Sequence, residues 1–207
     1  MKTVSISGSL RGNVGKKDAK KLRKEGFVPC VIYGGEKQLH FSVNEKNFKN
    51  ILYTPEVCFV KVNIEQEELM AIIQDVQYHP VTDKILHVDF LQLSPNKPIV
   101  MQIPVKLNGT APGVLKGGRL ALKLKKLKIK SLPENMPDNI NLDISKLDIG
   151  NTIKVNDIKL DNLTLLDPPN TVVVGVYVTR AVTETEETKQ VATTTAEKTA
   201  DNENKNK

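Results

Sequence analysis

Apolar residues recur in short runs along the first ninety residues of the chain. The runs are four to eight residues long, rich in Val, Ile, Phe and Tyr, and broken by Gly, Pro and Asn. This pattern predicts an antiparallel sheet that curls into a barrel. The predicted strands lie in TVSISGSL, VPCVIYGG, LHFSV, EVCFVKVNI, LMAIIQDVQYHP and ILHVDFLQL.

Two segments of the same zone have helical spacing instead. In NEKNFKNILY (44–53), Phe48, Ile51 and Leu52 fall on one face of a helix. Between residues 16 and 24, six basic side chains fall within an arc of about 160° when the chain advances 100° per residue, and Ala19 and Leu22 point the other way. We call these six residues the cationic ridge: Lys16, Lys17, Lys20, Lys21, Arg23 and Lys24.

A second β-patterned zone follows SPNKP (94–98), where two prolines prevent a helix or regular strand from passing through. Residues from 181 onward have almost no large apolar side chain and predict a disordered tail. The predicted fold is therefore mainly β. A barrel with flanking helices takes residues 1–94, a second all-β domain takes 95–180, and the tail takes 181–207.

Charge is unevenly distributed along the chain, although the net charge is only +6. Residues 1–25 carry eight basic side chains against two acidic ones, whereas residues 133–170 carry seven acids and three lysines. A one-sided helix with so few matching acids indicates a polyanionic partner. A solvated surface helix explains the same charges, so both interpretations stay open from the charge pattern alone.

The lysine run ALKLKKLKIKSL (121–132) raises a similar question. Its period is close to two, with leucines inward and lysines outward, and the slip at Lys125–Lys126 predicts a bulge. Lysines on an edge strand protect a sheet against aggregation. We prefer that explanation for the run from Lys116 to Lys130 over a second nucleic-acid surface, which stays open.

The segment HVDF (87–90) places His87 and Asp89 on one face of a strand and Val88 and Phe90 on the other. The apolar pair fills the core, so the polar pair lies on the outer surface. There it forms a surface hydrogen bond or reads base edges and ribose hydroxyls. Catalysis and metal binding are poorly supported, because no nucleophile elbow and no third ligand accompany the pair.

The segment QDVQYHP (74–80) supplies complementary chemistry. The amides of Gln74 and Gln77 can donate and accept hydrogen bonds, and Tyr78 and Tyr33 offer a hydroxyl or a stacking face. Each of these residues alone is an ordinary strand-end residue. They indicate an RNA-binding surface only together, because all belong to the same predicted barrel as the cationic ridge. We expect no catalytic residue, no metal and no cofactor.

The two cysteines and the N-terminus bear on the compartment. Cys30 and Cys58 lie in apolar strand-like runs, which predict buried thiols rather than a disulfide. No apolar stretch has the length of a signal peptide or a membrane span. We therefore expect a cytoplasmic protein without a membrane partner.

The quoted pieces together resemble a bacterial large-subunit ribosomal protein family that binds 5S rRNA, in its long two-domain form, the general stress protein CTC family. Coverage runs from about residue 3 to 180, and the order and spacing of the pieces carry the resemblance. They are LRGNVGKKDAKKLRKEGFVPCVIYGG (10–35), QDVQYHP, HVDF, GTAPGVLKGGRL (109–120) and MPDNINLDISKLDIGNTI (136–153).

The resemblance implies a barrel similar to the anticodon-binding domains of some tRNA synthetases, docked on the widened minor groove of the loop E region of 5S rRNA. It implies a structural role in the large ribosomal subunit, with further contacts of the second domain to 23S rRNA or other ribosomal proteins. A non-ribosomal stress-response or tRNA-binding module is the alternative.

Specific roles also follow from the resemblance. Phosphate contacts are implied for Arg11, Lys16, Lys20, Lys21 and Arg23. Tyr33 is implied to lie at the interface beside the basic helix, and contacts to ribose and base edges are implied for Gln74, His87 and Asp89. Gln77 and Tyr78 complete the predicted RNA-binding set.

Overall fold

The computed structural model describes residues 1–35, 37–65, 67–158, 160 and 163–178. The predicted disordered tail, 181–207, lies outside the described residues.

Residues 2–92, as far as they are described, form a closed six-stranded barrel in the order β1-β3-β2-β6-β5-β4. The barrel prediction is confirmed. The expectation that the barrel is antiparallel is wrong for two pairs, β1–β4 and β2–β6, which are parallel. The other described pairs are antiparallel. The strands are β1 (Lys2–Leu10), β2 (Phe27–Tyr33), β3 (Leu39–Asn44), β4 (Cys58–Ile64), β5 (Glu67–Tyr78) and β6 (Ile85–Gln92).

The barrel core is centred on Phe90. Its ring lies 5.6 Å from that of Phe41 in β3 and 6.5 Å from that of Phe48, centroid to centroid. Phe48 ends a 3-10 turn (Glu45–Phe48) that continues into a one-turn helix (Lys49–Leu52), which we label α2. Phe48 and Ile51 are buried against the barrel core, as the helical spacing of this segment predicts.

Helix α1 (Lys16–Lys24) precedes β2 and packs against it. Strand β2 is buried along nearly its whole length, because one face lies in the barrel core and α1 covers the other. Gly26 has a φ of +82°, a left-handed conformation that favours glycine after a helix end. The chain therefore turns sharply from α1 into β2.

The second zone is also β-rich. Its strands are β7 (Ile99–Asn108), β8 (Arg119–Leu122), β9 (Lys126–Ser131), β10 (Ile140–Asp143), β11 (Thr152–Lys154), β12 (Thr164–Leu165) and β13 (Val172–Tyr177). They form a four-stranded sheet, β10-β7-β9-β12, and a three-stranded sheet, β11-β13-β8. One turn of helix, α3 (Pro112–Leu115), and 3-10 turns at Pro133–Asn135 and Val155–Asp157 connect them.

The predicted bulge at Lys125–Lys126 is wrong. The slip in the pattern separates two strands, β8 and β9, that belong to different sheets. The expected edge position is also wrong for β9, which lies between β7 and β12. The alternation itself is confirmed there, since Leu127 and Ile129 are buried and Lys126, Lys128 and Lys130 are exposed.

The chain divides into two compact units that interleave in sequence. One consists of Met1–Val105, Lys126–Ile140 and the described part of Leu160–Asp167, and the other of Lys106–Lys125, the described part of Asn141–Lys159 and the described residues from Pro168 onward. No regular element crosses SPNKP, where Lys97 donates its backbone N–H to Ser94 O. The domain boundary at residues 94–95 stays a prediction.

Both cysteines are free thiols. Cys30 is buried in the barrel core as predicted, whereas Cys58 is only partly buried, because it begins β4 at the end of the barrel wall. No helix among the described residues combines the length and the apolar character needed to cross a membrane.

Candidate nucleic-acid interface

Helix α1 is fastened to the barrel near both of its ends. Before the helix, Arg11 donates from Nη2 to Asp18 Oδ2 over 2.8 Å and from its backbone N–H to His40 O over 3.0 Å. In the last turn, Arg23 donates from Nε to the backbone oxygen of Leu86 in β6 over 2.9 Å. The cationic ridge therefore has a fixed position relative to strands β3 and β6.

The charged face of α1 is open. Ala19 and Leu22 are partly buried, as their side of the helix predicts, while all six ridge residues are exposed. Lys21 Nζ lies 4.0 Å from Glu25 Oε1, a loose exposed pair. Lysines at i,i+4 spacing repel one another, so an anion opposite them lowers the energy of this face. Four ridge lysines have no ion-pair partner among the described residues: Lys16, Lys17, Lys20 and Lys24.

Arg11 differs from the ridge residues. Its side chain is 7% exposed and pairs with Asp18, and its Nη2 also donates to Asn13 O over 3.2 Å. The predicted phosphate contact by Arg11 therefore requires the ion pair with Asp18 to open. In the structure this guanidinium holds the loop before α1 against the helix.

A row of polar side chains lies on the outer face of strands β5 and β6. Gln77 is the register partner of His87, and Asp75 is the partner of Asp89. The register shifts between Ile73 and Asp75, so an extra residue, Gln74, is inserted there as a bulge. With Tyr33 of β2, these residues form what we call the polar face: Tyr33, Asp75, Gln77, His87 and Asp89.

The HVDF segment has the predicted orientation. Val88 and Phe90 are fully buried in the core, and His87 and Asp89 lie outside with 26% and 29% of their side chains exposed. His87 Nδ1 lies 2.6 Å from Asp89 Oδ1. Asp89 Oδ1 is shielded from solvent and has no aligned hydrogen bond among the described residues. The two side chains are therefore in close contact, and Oδ1 itself is not accessible from solvent.

Tyr33 connects the strand behind the ridge to the polar face. It ends β2 directly beside β6, with Leu91 as its register partner. Burial, followed by the negative charges of Asp89 and Asp75, raises the pKa of the Tyr33 hydroxyl. Tyr33 therefore keeps its proton at neutral pH and can donate a hydrogen bond.

Tyr78 and Gln74 lie at the margins of this arrangement. The pairing of β5 with β6 shifts register between Gln77 and Tyr78. Burial, followed by the nearby Tyr53 hydroxyl, raises the pKa of Tyr78. Gln74 is exposed at the bulge.

The predicted RNA-binding residues thus fall into three groups. The ridge carries four of the residues for which phosphate contacts are implied, and the polar face carries four others. Three more lie beside these two surfaces. The ridge group is Lys16, Lys20, Lys21 and Arg23, the polar-face group is Tyr33, Gln77, His87 and Asp89, and the third group is Arg11, Gln74 and Tyr78.

The two surfaces have different chemistry on one barrel. The ridge offers ammonium and guanidinium groups, which bind phosphates without regard to sequence. The polar face offers carboxylates, which repel phosphates but accept hydrogen bonds from ribose hydroxyls and exocyclic amino groups. Among the described residues, no group of three or more His, Cys, Asp or Glu side chains is arranged to hold a metal ion. The arrangement suits contacts to the backbone and to the groove of a nucleic acid.

Asp75 belongs to the polar face, although the sequence motifs did not single it out. It is exposed and lies opposite Asp89. Counting by two from Gln77 places Asp75 on the same face, with Val76 directed to the core. Strand alternation within QDVQYHP is therefore the signal that identifies it.

Two family models match the chain. The Ribosomal L25p family matches residues 6–90, and the C-terminal domain of ribosomal protein TL5 matches residues 98–180. A protein of Cytophaga hutchinsonii named large ribosomal subunit protein bL25 is 45% identical over 186 residues, which cover 90% of this chain and 97% of that one. The chain belongs to the ribosomal L25p family.

Other L25p-family relatives have similar coverage. The large ribosomal subunit protein bL25 of Phocaeicola vulgatus is 45% identical over 188 residues, covering 87% of this chain and 95% of that one. Its counterpart in Amoebophilus asiaticus is 47% identical over 182 residues, covering 88% and 93%. Because both models match, the chain is the long, two-domain form of the family. The ridge and the polar face both lie within the L25p match.

Proposed function

We propose that this L25p-family protein binds 5S rRNA at the minor groove of loop E, through the cationic ridge and the polar face. Membership of the family makes it a structural, non-enzymatic constituent of the large ribosomal subunit. Since ribosomes of bacteria lie in the cytoplasm, a ribosomal protein is located there too. The binding site on the RNA and the residue roles are our proposal.

One observation carries the proposal. The exposed lysines Lys16, Lys17, Lys20 and Lys24 lack partners among the described residues, and Arg23 fastens their helix to β6, the strand that bears the His87–Asp89 pair. A helix that only needed solvation would not require such placement. The ridge can therefore hold phosphates of the RNA backbone, while the adjacent strand β6 faces the minor groove of the RNA.

The two surfaces contribute differently to binding. Ridge lysines that neutralise phosphates release counterions, which makes affinity strongly dependent on salt. Asp89, Gln77 and Tyr33 contribute little to that dependence, because a carboxylate, an amide and a neutral hydroxyl release no condensed cations. They can set the position and orientation of the protein by contacts to ribose and base edges.

The test compares binding of the full chain to a loop E hairpin over a series of salt concentrations. The variant Lys16→Gln/Lys20→Gln removes two ridge charges, and Lys46→Gln/Lys49→Gln removes two exposed charges from the segment around α2 as a matched control. With about 0.7 to 0.9 units of salt slope per phosphate, the ridge variant should lose roughly 1.5 units. The control should keep the original slope.

An equal loss in the two variants would mean that only net charge matters, and the ridge would have no special role. Absence of binding by the unaltered protein would refute the proposal entirely. The full chain is used because residues 126–140 belong to the same compact unit as the barrel.

A further inference from the structure

Strand β9 presents three lysines that the proposed function does not use. Leu127, Ile129 and Ser131 are buried, and the alternate residues Lys126, Lys128 and Lys130 are exposed on the other face. Residues of one face are about 7 Å apart along a strand. We call this row of three ammonium groups the lysine face.

Neither edge protection nor ion pairing accounts for this row. Strand β9 lies between β7 and β12, and on the β12 side its backbone pairs with Thr164 at Lys130 and bonds to Leu166 and Asp167 at Lys128. Lys128 and Lys130 therefore do not protect an open edge. None of the three has an ion-pair partner among the described residues. Like charges therefore stand in a row without acids beside them in the ladder. Their register partners are uncharged: Val100, Gln102 and Pro104 in β7, and Thr164 in β12.

Two nearby carboxylates, those of Asp167 and Glu56, have other hydrogen-bond partners than the lysine side chains of β9. Asp167, which follows β12, accepts the backbone N–H of Lys128 at Oδ2 over 2.7 Å. Glu56 accepts a hydrogen bond from Lys2 Nζ and forms an ion pair with it. The carboxylate of Asp75 lies in the same groove as two of the lysines, but none of these three carboxylates forms an ion pair with a lysine of β9 among the described residues. The lysine face can therefore take an external anion.

An open groove of about 530 Å³ connects this face to the barrel. Lys126 and Lys128 line it together with Gln102, and so do Gln74 and Asp75 at the bulge of β5. All of these residues belong to one compact unit. Asp75 is also part of the polar face, so the lysine face and the polar face meet in this groove.

We propose that the lysine face is a second RNA-backbone site, which binds the phosphates of a strand that passes through the groove beside Gln74. This inference deepens the proposed function and rests on it. Lysine binds phosphate as a point charge at any base sequence. The amides of Gln74 and Gln102 can form hydrogen bonds with the ribose hydroxyls of such a strand. An RNA strand therefore offers partners both to the lysines and to the amides of the groove.

The experiment uses the full chain and the variant Lys126→Gln/Lys128→Gln/Lys130→Gln. A control, Lys46→Gln/Lys49→Gln/Lys97→Gln, removes three other exposed charges. Two probes are used: transcribed 5S rRNA, and large ribosomal subunits that lack this protein. If the RNA strand bound by the lysine face belongs to one of these probes, the triple variant should bind that probe about tenfold more weakly, with a salt slope smaller by about 2 units. The control should change affinity by less than about twofold.

Lysine acylation followed by mass spectrometry gives a direct readout. In the complex, Lys126, Lys128 and Lys130 should be protected, and protection should disappear after ribonuclease digestion. Protection that survives digestion would identify a protein partner and overturn the proposal. Unchanged affinity and slope on both probes would overturn it as well.

The outcomes separate this inference from the proposed function. If the ridge variant weakens binding to 5S rRNA and the lysine-face variant changes nothing on either probe, only the second site is refuted. If the ridge variant has no effect on 5S rRNA, the proposed function fails, whatever the lysine-face variant does.

Discussion

Arg11 and Asp18 form an ion pair that joins the loop before helix α1 to its first turn, with Nη2 2.8 Å from Oδ2. The Arg11 side chain is 7% exposed, so its charge is largely removed from water. Loss of the partner leaves a buried cation without compensation, which is more costly than loss of an exposed pair. The pair therefore controls both the stability of the loop and the position of the ridge.

Asp18→Ala should reduce the free energy of unfolding by about 1.5 to 3 kcal/mol, the range for hydrogen bonds to charged groups. Urea denaturation followed by circular dichroism measures this. Glu25→Ala is the matched control, because it also removes one acid from the α1 region but breaks only a 4.0 Å exposed contact with Lys21. The control should stay within about 0.5 kcal/mol. Equal effects of the two variants would contradict a special role of the Arg11–Asp18 pair.

Asp89→Ala and Lys20→Ala should separate recognition from affinity. Asp89→Ala removes an acceptor of the polar face and should reduce the preference for loop E over a plain duplex by about 1 to 3 kcal/mol. Lys20→Ala should weaken binding to both RNAs alike, because it removes a phosphate contact. Equilibrium binding to the two RNAs measures both effects. Thermal unfolding of the variants checks that the barrel persists, and a common loss of folding would show that these residues are structural.

Gly8→Ala should destabilise the barrel, because β1 approaches β3 closely at this residue. A Cβ atom there would lie 2.7 Å from Phe41 Cδ2 and 3.3 Å from Ser42 O. Overpacking of this kind costs about 1 to 3 kcal/mol, measured as a lower urea midpoint. At Gly12 a Cβ atom would meet nothing within 4 Å, so Gly12→Ala should leave the midpoint nearly unchanged. A tolerated Gly8→Ala would show that β1 can move away from Phe41.

The ion pair of Lys116 and Asp148 predicts a dependence of stability on pH. The hydrogen bond from Lys116, followed by the backbone N–H of Ile149, lowers the pKa of Asp148 below its ordinary value of 3.8. The folded state then binds this proton less readily than the unfolded state does. The contribution of Asp148 is therefore present above pH 3.8 and is lost as pH falls through the lower folded pKa.

Carboxyl NMR titration of Asp148 measures that pKa directly. Lys116→Gln removes the largest cause and should move the pKa back towards 3.8. Urea unfolding of Asp148→Asn between about pH 6 and about pH 3 should show a smaller loss of stability on acidification than the unaltered protein shows. An unchanged pKa in Lys116→Gln would mean that the ion pair does not persist in solution.

Features that depend on one segment at a time were predictable from the sequence. The strand runs, the helical face of Phe48 and Ile51, the ridge on α1 and the orientation of HVDF all follow from local periodicity. The parallel pairs β1–β4 and β2–β6 do not follow from local periodicity, because the sequence of one strand does not determine which distant strand it pairs with. The slip at Lys125–Lys126 had the right position but the wrong meaning, since periodicity cannot tell a bulge from a change of sheet.

The same limit applies to the candidate interface. The ridge and the pair His87–Asp89 were each recognisable, but their connection through Arg23 and Leu86 needed the folded barrel. The burial of Arg11 depends on Asp18 seven residues later, and a basic residue in a basic segment gave no sign of it. The sequence grouped Gln74 with Gln77 as polar residues of QDVQYHP, whereas the bulge places Gln74 separately, in the lining of the groove that Lys126 and Lys128 also line.

The two parallel pairs also determine when the barrel can assemble. Strand β1 pairs with β4, whose first paired residue is Cys58, and β2 pairs with β6, whose paired residues end at Leu91. Contacts so distant in sequence slow folding, because loop closure precedes the gain from packing. During synthesis, helix α1 and β2 therefore leave the ribosome well before β6 exists to anchor Arg23. In the nascent chain, the surface proposed to bind RNA is organised only after the last barrel strand has been made.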